Sequence, residues 1–177
     1  DATGGEILYK GQPVRKYSGK QLREYRKKAQ IIFQDPYNSI NPKQTIFDIV
    51  AEPLEVNNVC SSEREKEERV IKAISEAGLR PATEYLYRYP HELSGGQRQR
   101  VCIAGATVLD PDVIVADEPV ASLDVSIRND ILKLMVEEKE KLGVTYIFIT
   151  HDLSLAWVIS DRIAVMYRGK IVELGQA

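Results

Sequence analysis

From residue 112 onward, short apolar runs alternate with helical patterns, and this alternation constrains the chain more than any other feature. Asp112–Asp117 is a strand-sized apolar run. Ser126–Leu142 is amphipathic, with Ile127, Ile131, Leu134 and Met135 at helical spacing. Val144–Thr150 reads as a strand and Leu153–Ile159 as a short helix. Arg162–Tyr167 and Lys170–Leu174 read as strands around a turn at Gly169. Strands separated by helices pair in parallel, because the helix returns the chain to the starting edge of the sheet. Parallel sheets bury both faces. The expectation is an α/β fold with a mainly parallel, covered sheet.

Upstream the pattern changes. Gly5–Val14 alternates around a Gly-Gln-Pro turn and predicts a short hairpin or edge strand. Ser18–Ala29 is polar and basic, a surface helix. Gln30–Gln34 is a short buried strand, stopped by Asp35-Pro36, with loop following. Thr45–Val56 predicts a helix interrupted by Pro53. Ser62 and Glu65 form a capping box that opens a charged helix to about Ala77, with Val70, Ile71, Ile74 and Ala77 inward and Gly78 as its stop. A second capping box, Ser94 with Gln97, opens a helix to about Leu109. The stretch 45–105 is nearly all helical. It reads as a helical subdomain inserted into an α/β core formed by 1–44 and 106–177.

Composition narrows the function class. The 177 residues carry 24 Lys and Arg against 26 Asp and Glu, a net charge of −2. Such a balance argues against a nucleic-acid partner, which calls for basic excess. No apolar run approaches the ~18 residues of a membrane span. The opening residues are neither basic nor apolar, so no signal peptide is read there. The first residue is Asp rather than Met, so the start is read as a possible cut. Cys60 and Cys102 lie far apart, and neither shares metal-ligand spacing with His91 or His151. Reduced thiols in the cytosol are the default reading.

Four places carry chemistry. Leu93-Ser94-Gly95-Gly96-Gln97 is a helix N-terminus stripped of side chains. Two glycines let an anion approach the backbone amides, the helix dipole favours negative charge there, and Ser94 adds a hydroxyl. The bland alternative is a capping box with a flexible entry. Val113–Ala116 delivers Asp117 and Glu118 to the C-terminal end of a strand, where open α/β sheets bind ligands. Neighbours on a strand point oppositely, so one carboxylate can bind Mg²⁺ and the other can activate water. His151 follows the next strand and reaches the same sheet edge if the two strands are parallel. Asp152 beside it caps the following helix. Gln34 also ends a strand; a lone glutamine there is usually a surface amide.

Together and in this order, these features resemble the ATPase domain of ABC transporters. Gln34 matches that family's Q-loop, Leu93–Gln97 its signature, Asp117-Glu118 the end of its Walker B strand, Ser122-Leu123-Asp124 its D-loop and His151 its switch histidine. The segments Phe33–Pro42 and Tyr89–Arg100 look like the oligopeptide and dipeptide importer branch, which also includes nickel importers. The resemblance implies a P-loop NTPase-type fold, with ATP and Mg²⁺ as cofactors. It implies Glu118 and His151 as catalytic residues. Gln34, Ser94, Gly95, Gly96, Gln97 and Asp124 would bind nucleotide, and Asp117 and Gln34 would hold the metal. It implies a second ATPase subunit, membrane permease subunits and, indirectly, a solute-binding protein as partners. The implied location is the cytoplasmic face of the cell membrane.

Two departures stand out. No stretch of the 177 residues reads G-x-x-x-x-G-K-[ST], the loop whose amides cradle phosphates. In the family this loop lies N-terminal to the stretch resembling Gly5–Val14, so the N-terminal part of the core is expected to be missing. Weak or absent ATP binding by this chain alone is the consequence. The family also runs Ile-Ala-Arg-Ala after the signature, where this chain has Ile103-Ala104-Gly105-Ala106. Rival readings are a soluble ABC ATPase not linked to transport and a module that docks without doing chemistry.

Overall fold

The computed structural model describes residues 4–177. Its centre is a three-stranded parallel sheet in the order β3 (Ala29–Ile32), β4 (Val113–Asp117), β5 (Thr145–Ile149). The register sets Ile32, Ala116 and Phe148 side by side on one face, and Ile31, Val115 and Ile147 on the other. Upstream of the sheet lie a small hairpin, β1 (Leu8–Tyr9) with β2 (Gln12–Pro13), and the helix α1 (Gly19–Lys28). The sequence predicts the three central strands and α1 within two residues, and of its two readings for Gly5–Val14 the structure shows the hairpin, shorter at its start by three residues.

The crossover from β3 to β4 holds four helices: α2 (Pro36–Ser39), α3 (Ile46–Val56), α4 (Glu63–Glu76) and α5 (Gly95–Thr107). α2 is a single turn where sequence predicts loop. It forms because the Asp35 carboxylate accepts from the amides of Tyr37 and Asn38, and Pro36 sits where no amide is needed. α3 runs on through Pro53. An interior proline removes a hydrogen bond and costs ~3 kcal/mol. Here complete burial of Ile46, Val50, Ala51 and Leu54 on the inner side outweighs it. Ser62 caps α4 by accepting from the Glu65 amide, but the Glu65 carboxylate turns instead to Ser61. The predicted box there is half made.

From β4 the chain passes through α6 (Val125–Leu142) to β5, then through α7 (Leu153–Ile159) to the hairpin of β6 (Arg162–Tyr167) and β7 (Lys170–Gln176). α5 and α6 supply Val101, Ile103, Ala104, Ile131, Leu134 and Met135 to a core shared with Ile32, Ile114 and Ala116. That core runs without a break from α3 to α6. The expectation of a sheet covered on both faces is corrected. The face opposite the core leaves Ile31 45%, Ile147 53% and Ile149 47% exposed. β6 and β7 form a separate two-stranded sheet. Among the described residues, no helix is long and apolar enough to cross a membrane.

Candidate active site

The C-terminal ends of β3, β4 and β5 lie at one edge, because the three strands are parallel. Glu118 follows β4 directly. Its amide donates to the Ile149 carbonyl at 2.9 Å, tying the end of β4 to the end of β5. Its backbone has φ 44°, the left-handed region that non-glycine residues seldom occupy. Such strain persists only where surrounding structure fixes it, and it gathers at functional sites. The turn after β4 swings the Glu118 side chain between two partners. Gln34 Nε2 donates to its Oε2 at 3.0 Å, and His151 Nδ1 donates to its Oε1 at 2.9 Å. The carboxylate can only accept, so the proton of a neutral His151 sits on Nδ1 and leaves Nε2 able to accept.

His151 is held from below. The Asp152 amide donates to Thr150 Oγ1 at 3.0 Å, and the Asp152 carboxylate caps α7 by accepting from Ser154 and Leu155. The ring itself is 75% exposed, while Glu118 is only 24% exposed. Asp117 is the last residue of β4, in register with Ile149 on the open face of the sheet. Its carboxylate makes no hydrogen bond or ion pair among the described residues. Three side chains from three strand ends therefore converge, and a fourth stands beside them on the opposite face.

No three His, Cys, Asp or Glu side chains gather as a metal cage among the described residues. An oxygen donor set of one or two carboxylates and an amide suits Mg²⁺, which retains waters and completes its shell with phosphate oxygens. Asp117 and Gln34 both stand at this end of the sheet, Asp117 ending β4 and Gln34 following β3.

Ser94–Gln97 lies elsewhere. Ser94 Oγ accepts from the Gln97 amide at 3.3 Å, and Gln97 Oε1 accepts from the Ser94 amide at 2.9 Å, completing the predicted capping box. The helix offers no acceptor for the amides of Gly95 and Gly96, and Ser94 is exposed. This N-terminus packs on α6 and the turn before it. A Cβ at Gly95 would lie 3.6 Å from Leu123 Cδ2; one at Gly96 would lie 2.5 Å from Ile127 Cγ2. Asp124 occupies the N-cap position of α6, exposed and without a side-chain cap bond. The structure thus places Ser94–Gln97 next to Ser122–Asp124 and gives neither segment a hydrogen bond to the Gln34–Glu118–His151 group. Sequence reading missed Arg128, a cation one turn into α6 that lines the same small cavity as Glu118 and His151. Its position four residues after Asp124 was the available signal.

The family model described as ABC transporter matches residues 1–121. Oligopeptide transport ATP-binding protein OppF of Bacillus subtilis is 49% identical over 178 residues, covering 100% of this chain and 58% of that protein. Dipeptide transport ATP-binding protein DppF of Lactococcus lactis is 50% identical over 173 residues, covering 98% of this chain and 55% of that one. The chain therefore spans a little over half the length of these relatives. Among solved structures, cbiO1 of Clostridium perfringens, part of the ABC transporter complex cbiONQ, superposes with a TM-score of 0.84 at 33% identity, over 98% of this chain and 66% of that one. The dimeric ATP-binding cassette MJ0796 bound to ADP and Pi superposes with a TM-score of 0.83 at 27% identity, over 98% of this chain and 74% of that one. The order of strand ends, helix N-terminus and turns at this site, and these likenesses along almost the whole chain, lead to one assignment: the chain belongs to the ABC transporter family of ATP-binding proteins.

Proposed function

We propose that this chain is a large part of an ATP-hydrolysing subunit that powers import of short peptides. The observation that carries the reading is Glu118, held in a strained backbone between Gln34 at 3.0 Å and His151 at 2.9 Å. A carboxylate fixed at both oxygens, at the ligand-binding edge of a parallel sheet, can take a proton from an attacking water. His151 keeps that carboxylate oriented and offers Nε2 to the phosphate side. Gln34 reports the state of the site to the turn at Asp35–Ser39. Bound Mg²⁺ would neutralise phosphate charge, with Asp117 and Gln34 as its protein ligands. Catalysis of this kind is chiefly positioning and electrostatic stabilisation.

The second half of the reading is a dimer. The amides of Gly95 and Gly96, which the helix leaves without acceptors, the exposed Ser94 hydroxyl and Gln97 would form a donor surface separate from the Glu118 group. They would close on nucleotide carried by a second ATPase subunit, with Asp124 at the seam and residues 45–105 as the subdomain that carries them. The similarity to a dimeric cassette with ADP and Pi supports this. Peptide as cargo is supported by the likeness to oligopeptide and dipeptide transport proteins. Permease subunits, and a solute-binding protein beyond them, complete the assembly at the cytoplasmic face of the membrane. No nucleic acid is involved.

The test is Glu118→Gln in the full-length protein assembled with its partners. Glutamine keeps the size and one acceptor but cannot take the proton. ATP turnover is expected to fall about 100-fold or more while MgATP affinity stays within a few-fold. Unchanged turnover would remove Glu118 from the chemistry and sink the reading.

A further inference from the structure

Arg128 has no part in the chemistry described so far. It lies in the first turn of α6, where its amide donates to the Asp124 carbonyl at 2.8 Å. Its guanidinium reaches in two directions. Nη2 donates to the Leu123 carbonyl at 3.4 Å, and Nη1 stands 3.8 Å from the Asp152 carboxylate. Nε is buried without a partner. Arg128 also lines a cavity of about 40 Å³ together with Glu118, Thr150, His151 and Asp152.

The geometry matters because packing does not hold the His151 ring, which is mostly solvent-exposed. What fixes its contact with Glu118 is the turn 150–152, and what fixes that turn is Asp152. One Asp152 oxygen is spent on the α7 cap, accepting from Ser154 and Leu155. The other faces Arg128. The same guanidinium holds the carbonyl of the Ser122–Asp124 turn. One cation therefore bridges the two turns that flank the catalytic carboxylate.

We propose that Arg128 is a positioning residue that holds the His151 turn against Glu118 and ties it to the Ser122–Asp124 turn. This rests on the ATPase reading above. A partner subunit pressing on Asp124 would then be felt at His151 through one side chain.

Two variants test it in the full-length protein assembled with its partners: Arg128→Gln and Asp152→Asn. Asparagine still caps a helix, so the second variant removes the charge while sparing α7. Each is expected to lower kcat about tenfold with KM for MgATP within twofold, the pattern of lost positioning rather than lost binding. The double variant is expected to be no slower than the slower single one, because both remove the same link. Wild-type kcat in either variant, or a double variant slowed by the product of the two factors, would overturn the role of Arg128 and leave the ATPase reading standing. Absence of turnover in the unaltered assembly would overturn the ATPase reading itself, and this inference with it.

Discussion

Gly95, Gly96 and Gly105 share one helix and have three different surroundings. At Gly96 an added Cβ would lie 2.5 Å from Ile127, closer than real contacts allow. Gly96→Ala is therefore expected to cost about 1–3 kcal/mol of stability, read by urea unfolding, with Ile127→Ala restoring most of it. At Gly95 the added atom makes an ordinary contact with Leu123. Gly95→Ala should leave stability unchanged or slightly raised, so any loss of ATP turnover in that variant reports on ligand approach rather than on packing. Equal destabilisation by the two alanines would contradict this distinction. Gly105 faces open space, with nothing within 4 Å of its would-be Cβ. Gly105→Ala is expected to raise stability by about 1 kcal/mol, visible as a higher melting temperature. Nothing around its Cβ position requires glycine there. Sequence spacing singles out Ser94–Gln97 and Asp117-Glu118 as candidates, because their chemistry needs neighbours in the chain, and leaves a plain capping box and an acidic strand exit open beside them. It could not show the left-handed backbone of Glu118 or the role of Ile127, since both arise from segments that meet only in the fold.

At the scale of elements, periodicity located nearly every helix and strand, and capping residues set their starts. It failed where a tertiary contact overruled a local rule. Burial carried α3 through Pro53, and Asp35 turned a loop into the single turn of α2. It also could not assign the sheet's second face, because alternation shows that a strand has two sides and not what covers each. The contact of α6 with β5 was equally hidden. Glu138 reads as one charge among many on α6, yet it is 3% exposed. Its Oε2 accepts from the Tyr146 hydroxyl at 3.4 Å, and its Oε1 has no partner. Burial pushes its carboxyl up to about 7; the Tyr146 hydrogen bond opposes this, Glu76 adds to the rise and Lys141 counters it. Burial raises the Tyr146 hydroxyl as well. A carboxyl raised in the folded state binds a proton that the unfolded chain has released, so stability falls as pH climbs from the ordinary glutamate range to about 7. The loss should total roughly 3 kcal/mol, since a tenfold change in proton affinity is worth about 1.4 kcal/mol. Glu138→Gln is expected to flatten this slope and to be the more stable protein above about pH 7, in urea unfolding followed from about pH 5 to about pH 8. An unchanged slope would mean that Glu138 is charged throughout.

For the whole molecule, the proposed function divides one reaction between two surfaces. One is the edge where β3, β4 and β5 end, carrying Gln34, Asp117, Glu118 and His151. The other is the start of α5, whose free amides have no anion to meet within their own chain. A shared core, running from α3 to α6, joins the two surfaces. Such a division makes sense only if nucleotide is held firmly at the first surface and closed over at the second. Firm holding in this family falls to a glycine-rich loop that wraps phosphates with backbone amides and a lysine. No such loop occurs in these 177 residues. Side chains at strand ends supply proton transfer and a metal seat, but they do not enclose a triphosphate. MgATP titrated into the 177-residue chain is therefore expected to give no saturable heat at micromolar concentrations. Tight binding by the 177 residues alone would show that Gln34, Asp117 and the sheet edge hold the phosphates without the loop, and the division of labour proposed for the two surfaces would have to be redrawn.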